Sequence, residues 1–479
     1  LCLVFVWVFI LLIDYMDCLL QFDTPQLSKI HSGKVRDSFR VDAHHRLIAV
    51  TDRLSAFDQV LETPIPFKGA VLNSLSNWWF QQTADIIKNH FVREIDPCLT
   101  IVHEVKPIKI EMVVRGYLTG SMWRGYSQGE RTFSGVTVPD GLTQNQAFPQ
   151  PIVTPTTKEK TDRPITPADI AKEGWASVEI YAQMEKAALA LYQRGASYLA
   201  SKGIILVDTK YEFGLLNGDL ILIDEIHTPD SSRFWDAHDY AANPVGVVQR
   251  DKEFTRQWLL ANRLPNGNIP AQLSNEVAIE TSKRYIAIYE SITGQRLPVD
   301  AHIPIRQRMA ANMVAHGLIK DGYVALVMGA ATDIDHAEKI KSYLRNYDVK
   351  TIIRVFSANK NAEDLHKIIN CYNNSIEPGV VIAIAGRSNA LGALLAANLN
   401  IPVINCPPFK ELSDIMLNIN SSLMNPAQTP AGTVVHPDNA ALLAARCLNL
   451  PRLRTQINHE TITIKQSVRE ADAKFKTNW

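Results

Sequence analysis

Lys210 and Glu212 stand two positions apart in DTKYEFG (208–214), and Asp224-Glu225 follow shortly after. Side chains alternate along a strand, so a strand here puts Lys210 and Glu212 on one face. Carboxylates on adjacent strands beside a lysine can hold a hard Mg²⁺ together with nucleotide phosphates. The same residues would also suit an exposed hairpin with cross-strand charge pairs. Register separates the two readings. A two-residue turn at Asn217-Gly218 pairs Glu212 with Ile223 and leaves Asp224 on the opposite face. An odd-length loop or a bulge pairs Glu212 with Asp224, and shared metal binding predicts that second register. Further upstream, Gly33-Lys34-Val35-Arg36-Asp37 places a glycine that lets backbone approach a phosphate beside two cations that could neutralise one. The plainer reading is a solvated hairpin tip. Arg115, Ser121 and Arg233 (with Ser231 and Ser232) are far apart in sequence but alike as donors for an anionic phosphate. Singly, each is an ordinary loop or surface contact.

The elements that must position these groups follow from pattern. Residues 28–115 read as β-rich: IHSGKVRDSFRV, HRLIAVTD and IEMVVRG are short alternating or β-branched runs broken by turn residues. A helix is predicted over 72–89. Residues 127–166 are rich in Gly, Pro and Thr and predict a long loop region. Ile180, Met184, Ala188, Leu191 and Tyr192 share one face of a helix predicted over 178–202. Residues 204–213 and 220–225 predict a hairpin around Asn217-Gly218, and helices dominate 251–292. From 293 the period is lost, and 296–322 reads as a linker. From 323 the rhythm changes. VALVMG, TIIRVFSA, VVIAIAG and IPVINCPP are nearly continuous apolar strands, separated by helical patterns at 335–346, 361–373 and 388–399. That alternation predicts a doubly wound α/β domain with a parallel sheet. A polar helix is predicted over 455–474.

Composition bounds the function. The 479 residues suggest about three folding units. At 46% apolar and 20% charged, the chain is neither collagen-like nor largely disordered. Forty-nine basic residues balance 49 acidic ones, which gives no electrostatic reason to expect a nucleic-acid partner. The six cysteines form no CxxC and the thirteen histidines no HExxH, against a disulfide framework or a Cys/His zinc site and in favour of a reducing, cytoplasmic compartment. Residues 1–13 are wholly apolar but too short for a spanning helix of about 20 residues, and they lack a basic flank and a cleavage site. The expectation is a start read too early, with Met16 as the true one. A membrane-associated leader over 1–24 is the alternative.

Seven segments occur in order: GKVRD, TDRLSAFD (51–58), KGAVLNSLSNWWF (68–80), VVRGYLTGS (113–121), TPTTK (154–158), DTKYEFG and DEIHTPDSSRFW (224–235). Together they make residues 25–295 resemble SAICAR synthetase, the purine-biosynthesis ligase. The resemblance implies an α+β, ATP-grasp-like two-lobed fold. It implies the reaction of ATP, CAIR (carboxyaminoimidazole ribotide) and L-aspartate to SAICAR, ADP and phosphate, with ATP and Mg²⁺ as cofactors. It further implies that Gly33, Lys34 and Arg36 cover the ATP phosphates, with Glu111 near the adenine hinge. Lys210, Glu212 and Asp224 would serve phosphates and Mg²⁺. Arg115, Ser121 and Arg233 would hold the CAIR phosphate. Asp52, Asp58 and Lys68 would lie toward aspartate and the imidazole. A kinase-like phosphotransferase would need a similar Gly loop, lysines and carboxylates, but would have no use for the Arg115/Ser121/Arg233 set. A non-catalytic assembly protein would not need these charged motifs intact.

Residues 323–479 resemble the AIR carboxylase fused to SAICAR synthetase in animals, through VMGAATD (327–333), VFSANK (355–360), AGRSNALG (385–392) and PVINCPP (402–408). The resemblance implies a ribotide site with Asp333, Asn359, Lys360, Ser388 and Asn389, and a closing helix (459–475) that packs on a neighbouring subunit of a homo-oligomer. Two departures stand out. The family's Gly-Ser-x-Ser-Asp loop reads Gly329-Ala330-Ala331-Thr332-Asp333, and its Ser-Ala-His reads Ser357-Ala358-Asn359. An asparagine cannot act as a general acid or base, and losing one costs roughly 10²–10⁴-fold. The expectation is an impaired carboxylase. The alternative is a fully bifunctional enzyme.

Overall fold

The computed structural model describes residues 17–159, 162–248, 251–386 and 388–476. The expectations for residues 1–13 and Met16 lie outside them. No described helix is long and apolar enough to cross a membrane. The chain forms two compact units. Among the described residues, one comprises 17–20 with those of 29–305, and the other 21–28 with those of 306–476.

In the first unit, one sheet runs in the order Ser28–Ser32, Arg36–Arg40, His45–Val50, Leu99–His103, Phe91–Asp96. A second, antiparallel sheet runs Ala147–Thr157, Lys106–Tyr117, Ile204–Leu216, Asp219–Ile223, with Ser232–Asp236 also paired to Ile204–Leu216. The Ala147–Thr157 strand falls in the region expected to be loop. Its three prolines hid it. They are tolerated because the strand lies at the sheet edge and its register shifts between Ala147 and Ile152. The helix Lys68–Gln82 starts and ends earlier than expected, since Phe91–Asp96 is already strand. Val178–Ala200 is a helix, N-capped by the Ser177 side chain. Its Met184, Ala188 and Leu191 pack with Ile110, Met112, Val114 and Leu206 of the second sheet in one buried core. A lattice of apolar side chains therefore fixes the sheet whose strands carry the charged residues.

In the second unit all five strands are parallel, in the order Lys350–Val355, Tyr323–Met328, Gly379–Ile384, Val403–Asn405, Gly432–Thr433. Tyr323–Met328 and Gly379–Ile384 are buried throughout. Their side chains alternate between two cores. Val324, Leu326, Val380 and Ile382 meet Ala337, Ile340, Ala441 and Ala444 on one face. Tyr323, Ala325, Val381 and Ala383 meet Ile368, Tyr372, Leu391 and Leu395 on the other. Helices on both faces explain why these strands read as unbroken apolar runs. The segment expected as a linker contains a helix, Ile305–Ala315, anchored by buried Met309 and Met313.

Candidate active site

The hairpin Ile204–Leu216/Asp219–Ile223 turns on Asn217 (φ 53°) and Gly218 (φ 91°), a two-residue turn with both central residues left-handed. Glu212 therefore pairs with Ile223. The register expected for metal sharing does not occur. The two carboxyl groups meet all the same, for a reason alternation does not capture. Asp224 lies just beyond the strand with φ 67°, so the rule that would send its side chain to the other face no longer applies. Its carboxyl lines the same cavity as Glu212 and is paired with the Arg36 guanidinium.

Around this pair a cavity of about 660 Å³ opens in the first unit. Gly33, Lys34, Arg36, Asp58, Glu111, Lys158, Lys210, Glu212, Asp224 and Glu225 all line it. Lys158 pairs with Glu212, Lys210 Nζ lies 2.9 Å from Glu111 Oε1, and Arg36 Nη2 lies 2.9 Å from Glu225 Oε2. Glu111 is inside the strand Lys106–Tyr117, directly opposite Glu212 in register, so cross-strand pairing delivers Glu111, Glu212 and Lys210 together. Burial and the neighbouring Asp224 push the Glu212 carboxyl up. Burial would raise Asp224 too, but Arg36, Lys158 and Lys210 hold it well below the usual carboxylate range. The Gly33-Lys34 loop joins two sheet strands, and Lys34 reaches Asp58 at 2.7 Å on the exposed rim.

A second cluster forms around Asp208. It faces Arg115 in one neighbouring strand and Arg233 in the other. Arg233 Nη1 donates to Asp208 Oδ2 at 2.5 Å, Arg115 Nη1 lies 3.6 Å from the same oxygen, and Arg115 Nε donates to Thr154 Oγ1 at 2.9 Å. Two mostly buried guanidiniums thus share one carboxylate oxygen, which leaves the cluster receptive to an anion. Gly120 (φ 60°) lies against the Arg233 guanidinium, where a Cβ would come within 2.7 Å of Nη2. Ser121 follows it, exposed, in the first turn of the helix Gly120–Ser127.

Two expected site residues are placed elsewhere. Asp52 is buried and accepts hydrogen bonds from the Leu19 and Gly69 backbone N–H groups at 2.8 and 2.9 Å, so it pins the start of the helix Lys68–Gln82. Lys68 is fully buried, and its Nζ lies 3.0 Å from Asp230 Oδ2. It bears on the cavity only through Asp230, which does line it. Sequence reasoning also missed Lys158, Asp230 and Lys252 as lining residues. Lys158 and Asp230 belong to the quoted segments TPTTK and DEIHTPDSSRFW, but nothing in either pattern singles them out.

In the second unit a cavity of about 1030 Å³ lies at the carboxyl ends of the strands, lined by Asp333, Ser357, Asn359, Lys360 and Ser388 among others. Asn389 is instead the buried cap of the helix Ala390–Asn398. Its Oδ1 accepts from Gly392 N at 2.9 Å, and its Nδ2 donates to Ser422 Oγ at 3.0 Å. His336 also lines the cavity, with Nε2 3.3 Å from Cys406 Sγ.

The two-lobed α+β fold with its ring of carboxylates, lysines and arginines is that of an ATP-dependent carboxylate–amine ligase. The SAICAR synthetase family model matches residues 29–269 and the AIR carboxylase model residues 323–469. The chain belongs to the SAICAR synthetase family and carries a C-terminal AIR carboxylase domain. It is 43% identical over 304 residues to the phosphoribosylaminoimidazole-succinocarboxamide synthase of Azobacteroides pseudotrichonymphae, covering 62% of this chain and 94% of that one. It is 42% identical over 311 residues to the enzyme of that name from Legionella pneumophila strain Paris, covering 62% and 97%. Among solved structures, SAICAR synthase from Saccharomyces cerevisiae complexed with SAICAR matches at 36% identity and a TM-score of 0.51, covering 57% of this chain and 96% of that chain. The chain is thus a ligase of purine biosynthesis, as the seven ordered segments implied.

Proposed function

We propose that the cavity around Glu212 and Asp224 binds ATP with Mg²⁺, and that CAIR and L-aspartate are joined beside it by way of an acyl phosphate. The observation that carries this reading is the meeting of two buried carboxyl groups with Arg36, Lys158 and Lys210 in one cavity. A carboxylate is a poor acyl donor, because its leaving group would be oxide. Transfer of the γ-phosphoryl group to a CAIR carboxylate oxygen replaces oxide with phosphate. The aspartate amine then forms the C–N bond as the C–O bond to phosphate breaks. Triphosphate, ribotide and aspartate are all anions, and the gathered cations offset their repulsion.

The expected residues that line the cavity or the Asp208 cluster take roles from their positions. Gly33, Lys34 and Arg36 face the ATP phosphates, and Glu111 holds Lys210 toward them. Arg115 and Arg233, with Ser121 and the helix start beside them, suit the ribotide phosphate. Asp58 sits on the rim toward aspartate. Two oxygen donors held against each other fit a hard dication, so Glu212 and Asp224 would hold Mg²⁺. When bound, it neutralises charge on the transferred phosphoryl group. We assign the ligase to 25–295, the joining segment to 296–322 and the carboxylase-like part to 323–479, in a cytoplasmic enzyme. The test is ADP release on ATP with CAIR, with and without aspartate. SAICAR should form only with aspartate, and Glu212→Gln should lower its formation at least about 100-fold without shifting the melting transition. Wild-type turnover in that variant removes Glu212 from the site.

For the second unit we propose ribotide binding with impaired carboxylation. Asn359 lines the cavity, and its amide does not titrate near neutral pH and so cannot serve as a general acid or base. One observation favours the alternative of a working carboxylase: His336 lines the same cavity, though burial pushes its ring down to about 4. We also propose a homo-oligomer built on the closing helix, whose Ile464, Val468 and Phe475 are exposed.

A further inference from the structure

Lys252 lines the ligase cavity from the start of the helix Glu253–Ala261, and phosphate and metal binding leave it without a task. Its side chain is 11% exposed, and its Nζ lies 3.4 Å from Asp230 Oδ2. The same oxygen lies closer, at 3.0 Å, to Nζ of the fully buried Lys68. The other oxygen of Asp230 accepts the Tyr285 hydroxyl at 2.7 Å. One negative charge is thus divided between two ammonium groups and a phenol, and Lys68 holds the shorter contact. Lys252 is held in place by one long hydrogen bond to a carboxylate that it shares with Lys68.

The charges around it act in a consistent direction. Burial pushes the Lys252 amine down to about 8, and Lys68 and Arg256 add to this against the pull of Asp230 and Glu225. Lys158 and Lys210 line the same cavity but face Glu212, Asp224 and, for Lys210, Glu111, and are pushed up despite their burial. Lys252 can therefore shed its proton near physiological pH, while those two stay charged for phosphate.

The ligation needs such a group. As the amine nitrogen forms its bond to the acyl carbon, the C–O bond to phosphate breaks and phosphate leaves with the electron pair. The nitrogen then carries a proton it must lose. We propose that Lys252 accepts the proton that the aspartate amine loses as it attacks the acyl phosphate, with Asp230 stabilising the ammonium so formed. This rests on the acyl-phosphate reading above. Lys252 is then a catalytic residue of the second half-reaction. Lys68 and Tyr285 are positioning residues acting through Asp230.

The experiment replaces aspartate by hydroxylamine, a nucleophile neutral at pH 7 that traps acyl phosphates as hydroxamate and has little need of a base. In Lys252→Arg and Lys252→Met, SAICAR formation should fall by roughly 10²–10⁴-fold. Hydroxamate formation from ATP and CAIR should stay within about threefold of wild type. Wild-type kcat should rise with pH through about 8, and the Lys252→Arg profile should lose that limb, because a guanidinium stays charged. Lys252→Arg retaining aspartate turnover with only KM changed would overturn the proposal, since charge alone would then suffice. Equal loss of hydroxamate would also overturn it, assigning Lys252 to phosphoryl transfer or to folding. Wild-type enzyme yielding no hydroxamate would sink the acyl-phosphate reading itself, a failure distinct from both.

Discussion

Asp224 shows how much one backbone angle can decide. In an extended conformation the residue after Ile223 would face away from Glu212. At φ 67° it turns back beside Glu212 and toward Arg36. An aspartate tolerates that left-handed region better than most residues. In the second unit the proposed impairment of carboxylation turns on the chemistry of one side chain, Asn359. It lines a cavity that also holds Asp333, Lys360 and Ser388, so recognition groups are present while a titrating group at that position is absent. Purified protein given AIR and bicarbonate should therefore form CAIR slowly, and Asn359→His should raise the rate by about 10²–10⁴-fold. Robust carboxylation by the wild-type chain, abolished in Asp333→Asn, would show instead that another group moves the proton.

The element with the least sequence signal is the segment 21–28. It precedes the ligase fold in the chain but belongs to the second unit. Phe22 and Thr24 are buried, and the Ile376 N–H donates to Asp23 O at 3.1 Å. Thr24 Oγ1 donates to buried Glu377 Oε1 at 2.6 Å. The Gln26 amide bonds both ways to the Lys320 backbone, at 2.9 Å each. This strap donates to Glu377 from the Thr24 hydroxyl and the Gln26 amide. Thr24→Val keeps the shape and removes a donor from a buried carboxyl, which costs about 1–3 kcal/mol. Hydrogen exchange should speed up in Gly379–Ile384 and stay unchanged in Lys106–Tyr117. Unchanged protection in both strands would mean the strap lies on the unit without supporting it.

At the scale of the whole molecule, the helix Pro451–Lys476 buries only Leu453 fully. Ile457 packs on the core beneath it. Beyond that, Thr461, Ile464, Val468, Ala471 and Phe475 recur at alternating steps of three and four. That spacing makes one continuous seam along a helix. Ile464, Val468 and Phe475 are 63%, 63% and 74% exposed, a cost that a second copy would remove. The double variant Ile464→Glu/Val468→Glu should sediment as a smaller species than wild type, with its ligase activity retained. An unchanged sedimentation coefficient would place the interface elsewhere.

The sequence by itself determined the two architectures and the family. Short unbroken apolar runs alternating with helical patterns pointed to strands buried on both faces, and DTKYEFG carried Lys210 and Glu212 into the cavity on one strand. Asn217-Gly218 also determined the hairpin register, because two left-handed residues leave no other turn. Tertiary structure alone decided which charges meet. Alternation says nothing about a residue just past a strand end, so Asp224 reaches Glu212 through its backbone angle and not through the register expected for it. Spacing does not reveal burial, so Asp52, Lys68 and Asn389 were taken for ligand contacts when their polar atoms are spent on backbone, on Asp230 and on a helix cap. Lys158, Asp230 and Lys252 came to light only once strands and helices distant in the chain closed around one cavity, where the energy of a charge depends on its neighbours rather than on its position in the chain.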